Sequence, residues 1–234
     1  MKKIREIGKK NKIMIIEDAA QAFGAALNNK VAGSFSIVAG LSMNPMKALG
    51  GYGEAGVAVT SRKKIYEQLK ILRHAGTTSD PKKIITNNCL AISLNHKMDT
   101  INAALLLVSL KNYKKKYTIK KRIAEIYDKE IPNNIKRQAL LPKEKHGRYV
   151  YVIQIDKRNK LKKFLSKRGI ETKIFHEPLA CDAPIYKKFC KSRVPNARKI
   201  LKNSLVIPSH EKLSKKQVYY VIKSIKDFLL KEKK

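Results

Sequence analysis

A chain of 234 residues with 52 lysines and arginines carries basic charge nearly everywhere, yet Val31–Gly53 holds a single charged residue, Lys47, in 23 positions. At the chain's average density about five basic residues would fall there. A segment so cleared of charge belongs against the protein interior, because apolar side chains gain by leaving water and charged ones lose. It is flanked by two short apolar runs, IMIIED (Ile13–Asp18) and GVAVT (Gly56–Thr60). Both are too short for a helix, so they read as strands. The first reads as a buried strand of a parallel sheet and ends in two carboxylates. Within the uncharged stretch, SFSIVAGLS (Ser34–Ser42) reads as a further strand leading into the lysine loop.

The remaining pattern alternates helices with strands, which places the chain in the α/β class. The first eleven residues read as helix. Ser61 is expected to cap a helix, SRKKIYEQLKILRHAG, with Ile65, Leu69 and Leu72 on one face and Gly76 just past its end. Residues 77–96 read as loop and irregular chain. Asp99 is expected to cap a long helix reaching about Ile131. That helix changes character at Lys111. The apolar first half, INAALLLVSL, is expected to be buried, and the basic amphipathic second half to be exposed and to bridge two domains.

After Pro132 the pattern becomes a small α+β unit. RYVYVIQID, IETKIF and SLVIPS read as extended, and LKKFLSKRG as a helix ending at Gly169. Ser214 is expected to start a last helix with Val218, Val221, Ile222, Ile225 and Phe228 in one apolar stripe. The division falls between residues 1–115 and 116–234.

The net charge of +34 raises the possibility of a nucleic-acid partner. Two features argue against it. The basic residues are 42 Lys and only 10 Arg, whereas base and phosphate recognition favours the planar arginine fork. The lysines are also spread over helix surfaces rather than gathered beside stacking aromatics. A solvated basic surface is the simpler reading, and an anionic substrate bearing phosphates would gain from its field. No apolar run approaches membrane-spanning length, and MKKIREIGKKNK lacks the apolar core of a signal peptide. Cys89, Cys181 and Cys190 form no CxxC pair, and His176 makes no zinc pattern with Cys181. A reduced, cytoplasmic setting without structural disulfides or a metal follows.

An isolated lysine in an apolar, glycine-rich loop can be a structural cation at an element's end, or a nucleophile. Only a neutral amine attacks a carbonyl, and desolvation away from acidic neighbours favours the neutral form. Asp18, at the end of an apolar strand, stands where open α/β sheets place ligands, although a carboxylate there can also simply cap the next turn. A lysine that holds a carbonyl cofactor suggests pyridoxal 5′-phosphate, whose ring nitrogen needs an acidic partner. Lys47 and Asp18 would supply the two ends of that cofactor.

The order of motifs resembles the DegT/DnrJ/StrS family of pyridoxal-phosphate-dependent sugar aminotransferases. The blocks are IEDAAQAFGA (Ile16–Ala25), GSF (Gly33–Phe35) and SMNPMKALGGYGEAG (Ser42–Gly56). They are followed by LRHAG (Leu72–Gly76), SLNHKMDTINAALL (Ser93–Leu106) and EKLSKKQVYYVIKSI (Glu211–Ile225). The resemblance implies the C-terminal part of an aspartate-aminotransferase-like (type I) transferase large domain, followed by a small α+β C-terminal domain. It assigns Lys47 to covalent attachment of the cofactor and to proton shuttling, and Asp18 to the pyridine nitrogen. Gln21 is assigned to the ring near its 3′-oxygen and Ser42 to the cofactor phosphate. Asn95 is assigned to the phosphate in the neighbouring subunit's site, which implies a homodimer with shared active sites. The implied reaction passes an amino group from glutamate to a keto sugar carried on a nucleotide. Lys47 argues against the family's dehydratase branch, which lacks the lysine.

Departures from the family pattern are Met43, Met46, Glu54 and Ala55 around the lysine, and Tyr149 where a substrate-side histidine often stands. The family's N-terminal segment, with its glycine–threonine turn for the phosphate and its ring-stacking aromatic, is not found. Gly76–Thr77 is the one Gly-Thr pair and lies after a helix. The expectation is therefore an enzyme incomplete at its N-terminus, either a fragment of a longer chain or one half of a split enzyme with a separate N-terminal fragment. The alternative is a catalytically silent binding or structural paralogue. Either form should expose unpaired strand edges and apolar surface.

Overall fold

The computed structural model describes residues 1–78, 88–190 and 193–232. The helices in chain order are α1 (Lys2–Lys10), α2 (Lys63–Arg73), α3 (Thr100–Glu130), α4 (Arg158–Ser166), α5 (Pro184–Lys187), α6 (Pro195–Asn203) and α7 (Lys215–Lys231). The longer strands and their short partners are β1 (Ile16–Asp18), β2 (Ala26–Leu27), β3 (Lys30–Val31), β4 (Val38–Ser42) and β5 (Gly56–Val59). They continue with β6 (Thr77–Thr78), β7 (Asn88–Cys89), β8 (Lys136–Arg137), β9 (Glu144–Lys145), β10 (Tyr151–Gln154) and β11 (Ser204–Ile207). The chain forms two compact units, Met1–Lys114 with Leu140–Tyr149, and Lys115–Ala139 with Val150–Lys234.

The first unit is built on a three-stranded sheet of order β1-β4-β5. β1 runs parallel to β4 with Asp18 opposite Gly40, and β4 runs antiparallel to β5 with Ser42 opposite Gly56. β1 is an edge strand rather than a buried one. Ile13, Met14 and Ile16 are 63, 77 and 72% exposed, because nothing among the described residues covers their far side. Ser61 does not cap α2. Arg62 holds that position, and the Thr60 hydroxyl accepts the Arg62 N–H at 3.1 Å. Gly76 does stand past the helix end, at φ +75° with its N–H on the Ile71 carbonyl. Of the stretch read as irregular, residues 79–87 lie outside the described residues, and β6 pairs with β7 around them.

The first half of α3 departs from the expectation, and the second half keeps most of its basic residues exposed while burying one apolar face. In the apolar first half Ile101 and Val108 are 77 and 56% exposed, and Leu107 and Leu110 are exposed as well. Leu106 alone joins the small core cluster of this unit, with Met43 and Leu49. An apolar cleft of about 860 Å³ also opens among Val57, Tyr66, Leu69, Leu72 and Met98. Apolar surface on this scale drives association. The purified chain is expected to self-associate or to require a partner to stay soluble. Sedimentation and thermal melting check this, and a monodisperse, cooperatively melting monomer would contradict it.

The second unit has a complete core. Its antiparallel sheet has the order β11-β10-β8, with Ile153 opposite both Leu205 and Arg137. The amphipathic second half of α3 is buried here, through Ile123, Ala124 and Tyr127, together with α4 and α7. α7 begins as expected. Ser214 and Gln217 form a reciprocal capping box, and Val218, Val221, Ile222, Ile225 and Phe228 are all buried. IETKIF forms no strand. Its one ladder contact is a bridge between Lys173 and Val206, after Gly169 turns the chain at φ +71°. Leu161→Ala, at a site with no exposure, is expected to cost this unit about 2–5 kcal/mol in chemical unfolding.

Tyr127 gives the unit an alkaline limit. Its hydroxyl donates to the Pro208 carbonyl at 2.7 Å, and burial raises it well above the ordinary phenol value of 10.0. The unfolded chain therefore loses this proton first. Stability from Tyr127 is complete below pH 10 and falls as pH rises beyond it. Tyr127→Phe is expected to cost about 1 kcal/mol at neutral pH and to flatten that alkaline decline in denaturant titrations.

Candidate functional site

The parallel register of β1 and β4 brings their carboxyl ends together. Asp18 closes β1 opposite Gly40, and Ser42 closes β4 two residues later. Lys47 lies in the loop that leaves β4. The two carboxylates at the end of β1 have different tasks, since successive strand residues point to opposite faces. Glu17 accepts the Gly33 N–H at 2.7 Å and the Phe35 N–H at 3.0 Å, which fixes the Gly33–Phe35 turn. Asp18 accepts only the Ala20 N–H, at 3.0 Å, and stays exposed. No cation pairs with it among the described residues, although the chain holds 52 basic side chains. The expected turn cap is thus present and leaves most of the carboxylate's hydrogen-bonding capacity open.

The lysine loop is held by its own backbone and by two asparagines. Gly51 N–H donates to the Met43 carbonyl at 2.7 Å, and Lys47 N–H to the Asn44 carbonyl at 2.9 Å. Asn44 accepts from Met46 N–H at 2.9 Å and donates to Glu54 Oε1 at 2.6 Å. Asn102 of α3 accepts Tyr52 N–H at 3.2 Å and donates to the Glu54 carbonyl at 3.4 Å. Met43 and Leu49 anchor the loop as buried residues. The departures Met43 and Glu54 thus belong to the loop's packing and wiring. Gly50 must lack a side chain, because a Cβ there would lie 2.5 Å from the Pro45 carbonyl oxygen. Gly50→Ala is expected to displace the loop and lower the selective reactivity of Lys47 towards aldehydes. Competitive labelling with peptide mapping reads that change.

Lys47 is half-buried, and its Nζ lies 5.2 Å from the centroid of the Tyr149 ring. Tyr149 is brought there by β9, which pairs with β2 through Ala26–Lys145 and Leu27–Glu144. Gly147 packs closely on the Phe23 carbonyl, where a Cβ would sit at 3.0 Å. The Tyr113 hydroxyl also donates to that carbonyl at 3.1 Å, and its ring meets Phe23 edge-on. The turn after Asp18 is thereby held between α3 and the β9 segment.

Gln21 lies in that turn with its side chain exposed. The Ser42 hydroxyl oxygen accepts the Asn44 N–H at 3.4 Å, leaving its own proton to donate. Asp18, Gln21, Ser42 and Lys47 therefore occupy one end of one sheet. Asn95 belongs elsewhere in the unit. It bridges His74 after α2, its side-chain oxygen accepts the Lys97 N–H at 3.3 Å, and it is exposed. Glu17, Asn102 and Tyr113 were not singled out as site-supporting residues in the sequence. Asn102 alone had a local signal, as the one amide in INAALLLVSL.

Residues 1–226 match the model of the DegT/DnrJ/EryC1/StrS aminotransferase family. A pleiotropic regulatory protein of Geobacillus stearothermophilus is 30% identical over 97% of this chain and 61% of its own length. A UDP-4-amino-4,6-dideoxy-N-acetyl-beta-L-altrosamine transaminase of Campylobacter jejuni is 26% identical over all of this chain and 63% of its own. The chain thus spans less than two thirds of these relatives. The crystal structure of a DegT DnrJ EryC1 StrS aminotransferase from Brucella abortus superposes with a TM-score of 0.89 at 27% identity, covering 96% of this chain and 60% of that one.

Proposed function

The chain belongs to the DegT/DnrJ/EryC1/StrS aminotransferase family, and we propose that it is a polypeptide of a pyridoxal-phosphate-dependent sugar aminotransferase. The reaction proposed moves an amino group from glutamate to a keto sugar carried on a nucleotide, in line with the UDP-linked amino sugar in the name of the Campylobacter transaminase. The observation that carries this reading is an exposed carboxylate without a cation partner among the described residues, Asp18, at the carboxyl end of a parallel strand pair, with Lys47 in the adjoining loop.

The donor set fits the cofactor. Bound pyridoxal phosphate supplies an aldehyde for amine capture and a ring that accepts the electron pair left when a proton departs from the amino-bearing carbon. Lys47 Nζ would hold the aldehyde and would carry the proton between the substrate carbon and the cofactor. Asp18 would hold a proton at the ring nitrogen. The Ser42 hydroxyl would donate to the phosphate, Gln21 would serve the ring, and Asn95 would serve the phosphate of the other subunit in a homodimer. The long Lys-rich surface favours approach of a doubly phosphorylated substrate.

Residues 1–115 form the part of the large domain that binds the cofactor, and residues 116–234 the small domain. The exposed side of β1 and the first half of α3 are the apolar surfaces that a partner would cover. None of the described helices is long and apolar enough to cross a membrane, in keeping with a cytoplasmic enzyme. The Geobacillus relative is called a pleiotropic regulatory protein, and the other reading is a catalytically silent binding or structural paralogue.

Titration of the purified chain with pyridoxal phosphate separates the two readings. A saturable visible band, trapped by borohydride on the Lys47 peptide, supports the enzyme. Label scattered over surface lysines supports the binding protein.

A further inference from the structure

Helix α6 turns a polar face towards the rest of its unit. Asn196, Lys199, Ile200 and Asn203 follow the i, i+3, i+4, i+7 spacing of one helical stripe, and all four line a cleft of about 760 Å³. A stripe that faces neighbouring elements is usually apolar, and here three of its four side chains are polar. The cleft forms where β10 ends. Ile155 N–H donates to the Asn203 carbonyl at 3.0 Å, which ties the end of α6 to the turn that enters α4. Gln154 stands opposite Lys136 of β8 in the ladder. Ile135, Ile155, Phe228 and Leu229 supply an apolar lining. Every lining residue belongs to the second unit, and none is assigned to the cofactor.

The charges of the cleft are unevenly engaged. Both of its acidic side chains have partners. Asp156 Oδ1 accepts from Asn203 Nδ2 at 3.0 Å, and Glu232 Oε2 lies 2.6 Å from Lys157 Nζ and 3.6 Å from Lys160 Nζ. The ammonium groups of Lys136 and Lys199 and the carboxamides of Asn134, Gln154 and Asn196 have no side-chain partner among the described residues.

We propose that this cleft is a binding site for a nucleoside phosphate, separate from the site of amino transfer. A carboxamide offers a donor and an acceptor side by side, which matches the edge of a nucleobase. The apolar lining receives the faces of the base, and the cleft has the size and the mixture of apolar and placed polar groups of a small-molecule site. The phosphate goes to the ammonium groups of Lys136 and Lys199 through charge-assisted hydrogen bonds. The ion pairs of Glu232 and the amide contact of Asp156 offset the two carboxylates that would otherwise repel it.

The purified full chain is titrated by calorimetry with AMP, UMP and inorganic phosphate. At least one of the nucleotides is expected to bind saturably, one per chain, and about tenfold or more tighter than inorganic phosphate. Lys199→Gln and Asn196→Ala should each weaken that binding by about tenfold. Both positions are exposed on α6, so the fold should stand. Lys202→Gln removes the same charge from the same helix outside the cleft and should leave binding unchanged. Absence of saturable binding, or equal affinity for inorganic phosphate, would overturn the proposal. Equal weakening by Lys202→Gln would reduce the effect to the general basic field and overturn it as well. Unchanged binding in either cleft variant would place the nucleotide elsewhere on the chain.

Discussion

Lys47→Ala is expected to abolish saturable capture of pyridoxal phosphate and to lower amino transfer in the complete enzyme by about 10⁴-fold or more. The size follows from two roles meeting on one atom. In the proposed reaction Nζ would be both the amine that holds the cofactor and the base that carries the proton, so its loss would remove both. Arginine cannot replace it, because a guanidinium stays protonated and is no nucleophile. Lys47→Arg should therefore fail like alanine while keeping the positive charge against Tyr149. Borohydride reduction and peptide mapping give a readout independent of turnover. In the parent chain one peptide carries the label. In both variants the label should disperse over the remaining lysines at low occupancy. A labelled site elsewhere with unchanged saturation would show that Lys47 is a structural cation.

Asp18→Asn should have the second largest effect, and of a different kind. Asn keeps the size of the side chain and an acceptor for the Ala20 N–H, so the turn should survive. It removes the negative charge that would stabilise a proton on the ring nitrogen. Capture on Lys47 is expected to persist, while transfer in the complete enzyme falls by about 10²–10⁴-fold. The split between retained capture and lost turnover is the signature. Glu17→Gln offers the contrast, because Glu17 spends both oxygens on Gly33 and Phe35. Its loss should loosen that turn and lower thermal stability before it touches capture. Equal behaviour of the two variants would remove the reason for separating the carboxylates.

The segments that could be read directly were those whose neighbours in sequence are also their neighbours in space. The α7 stripe and the start of that helix at Ser214 are spaced within a few residues, and both stand as expected. The same holds for α1 and for Gly76 past α2. Ser61 failed as a cap because several residues near a helix start can fill that position, and the chain enters α2 through Arg62. IETKIF failed because β-branched content permits a strand without supplying a partner, and only Lys173 finds one. At the site, the charge-cleared loop and the strand-end carboxylate singled out Lys47 and Asp18. The tasks of Glu17, Asn102 and Tyr113 are set by partners from 16 to 90 residues away.

The sequence alone determined the local elements, the lysine loop and the family, because caps, periodicity and motif order are short-range properties written in adjacent residues. Only the tertiary structure decided which half of α3 is buried, which of two neighbouring carboxylates stays open, and that Tyr149 faces Lys47. Burial depends on what covers a surface. Most of the apolar first half of α3 lies exposed where nothing among the described residues covers it, and the apolar face of the basic second half is buried where α7 and the β10 sheet complete a core.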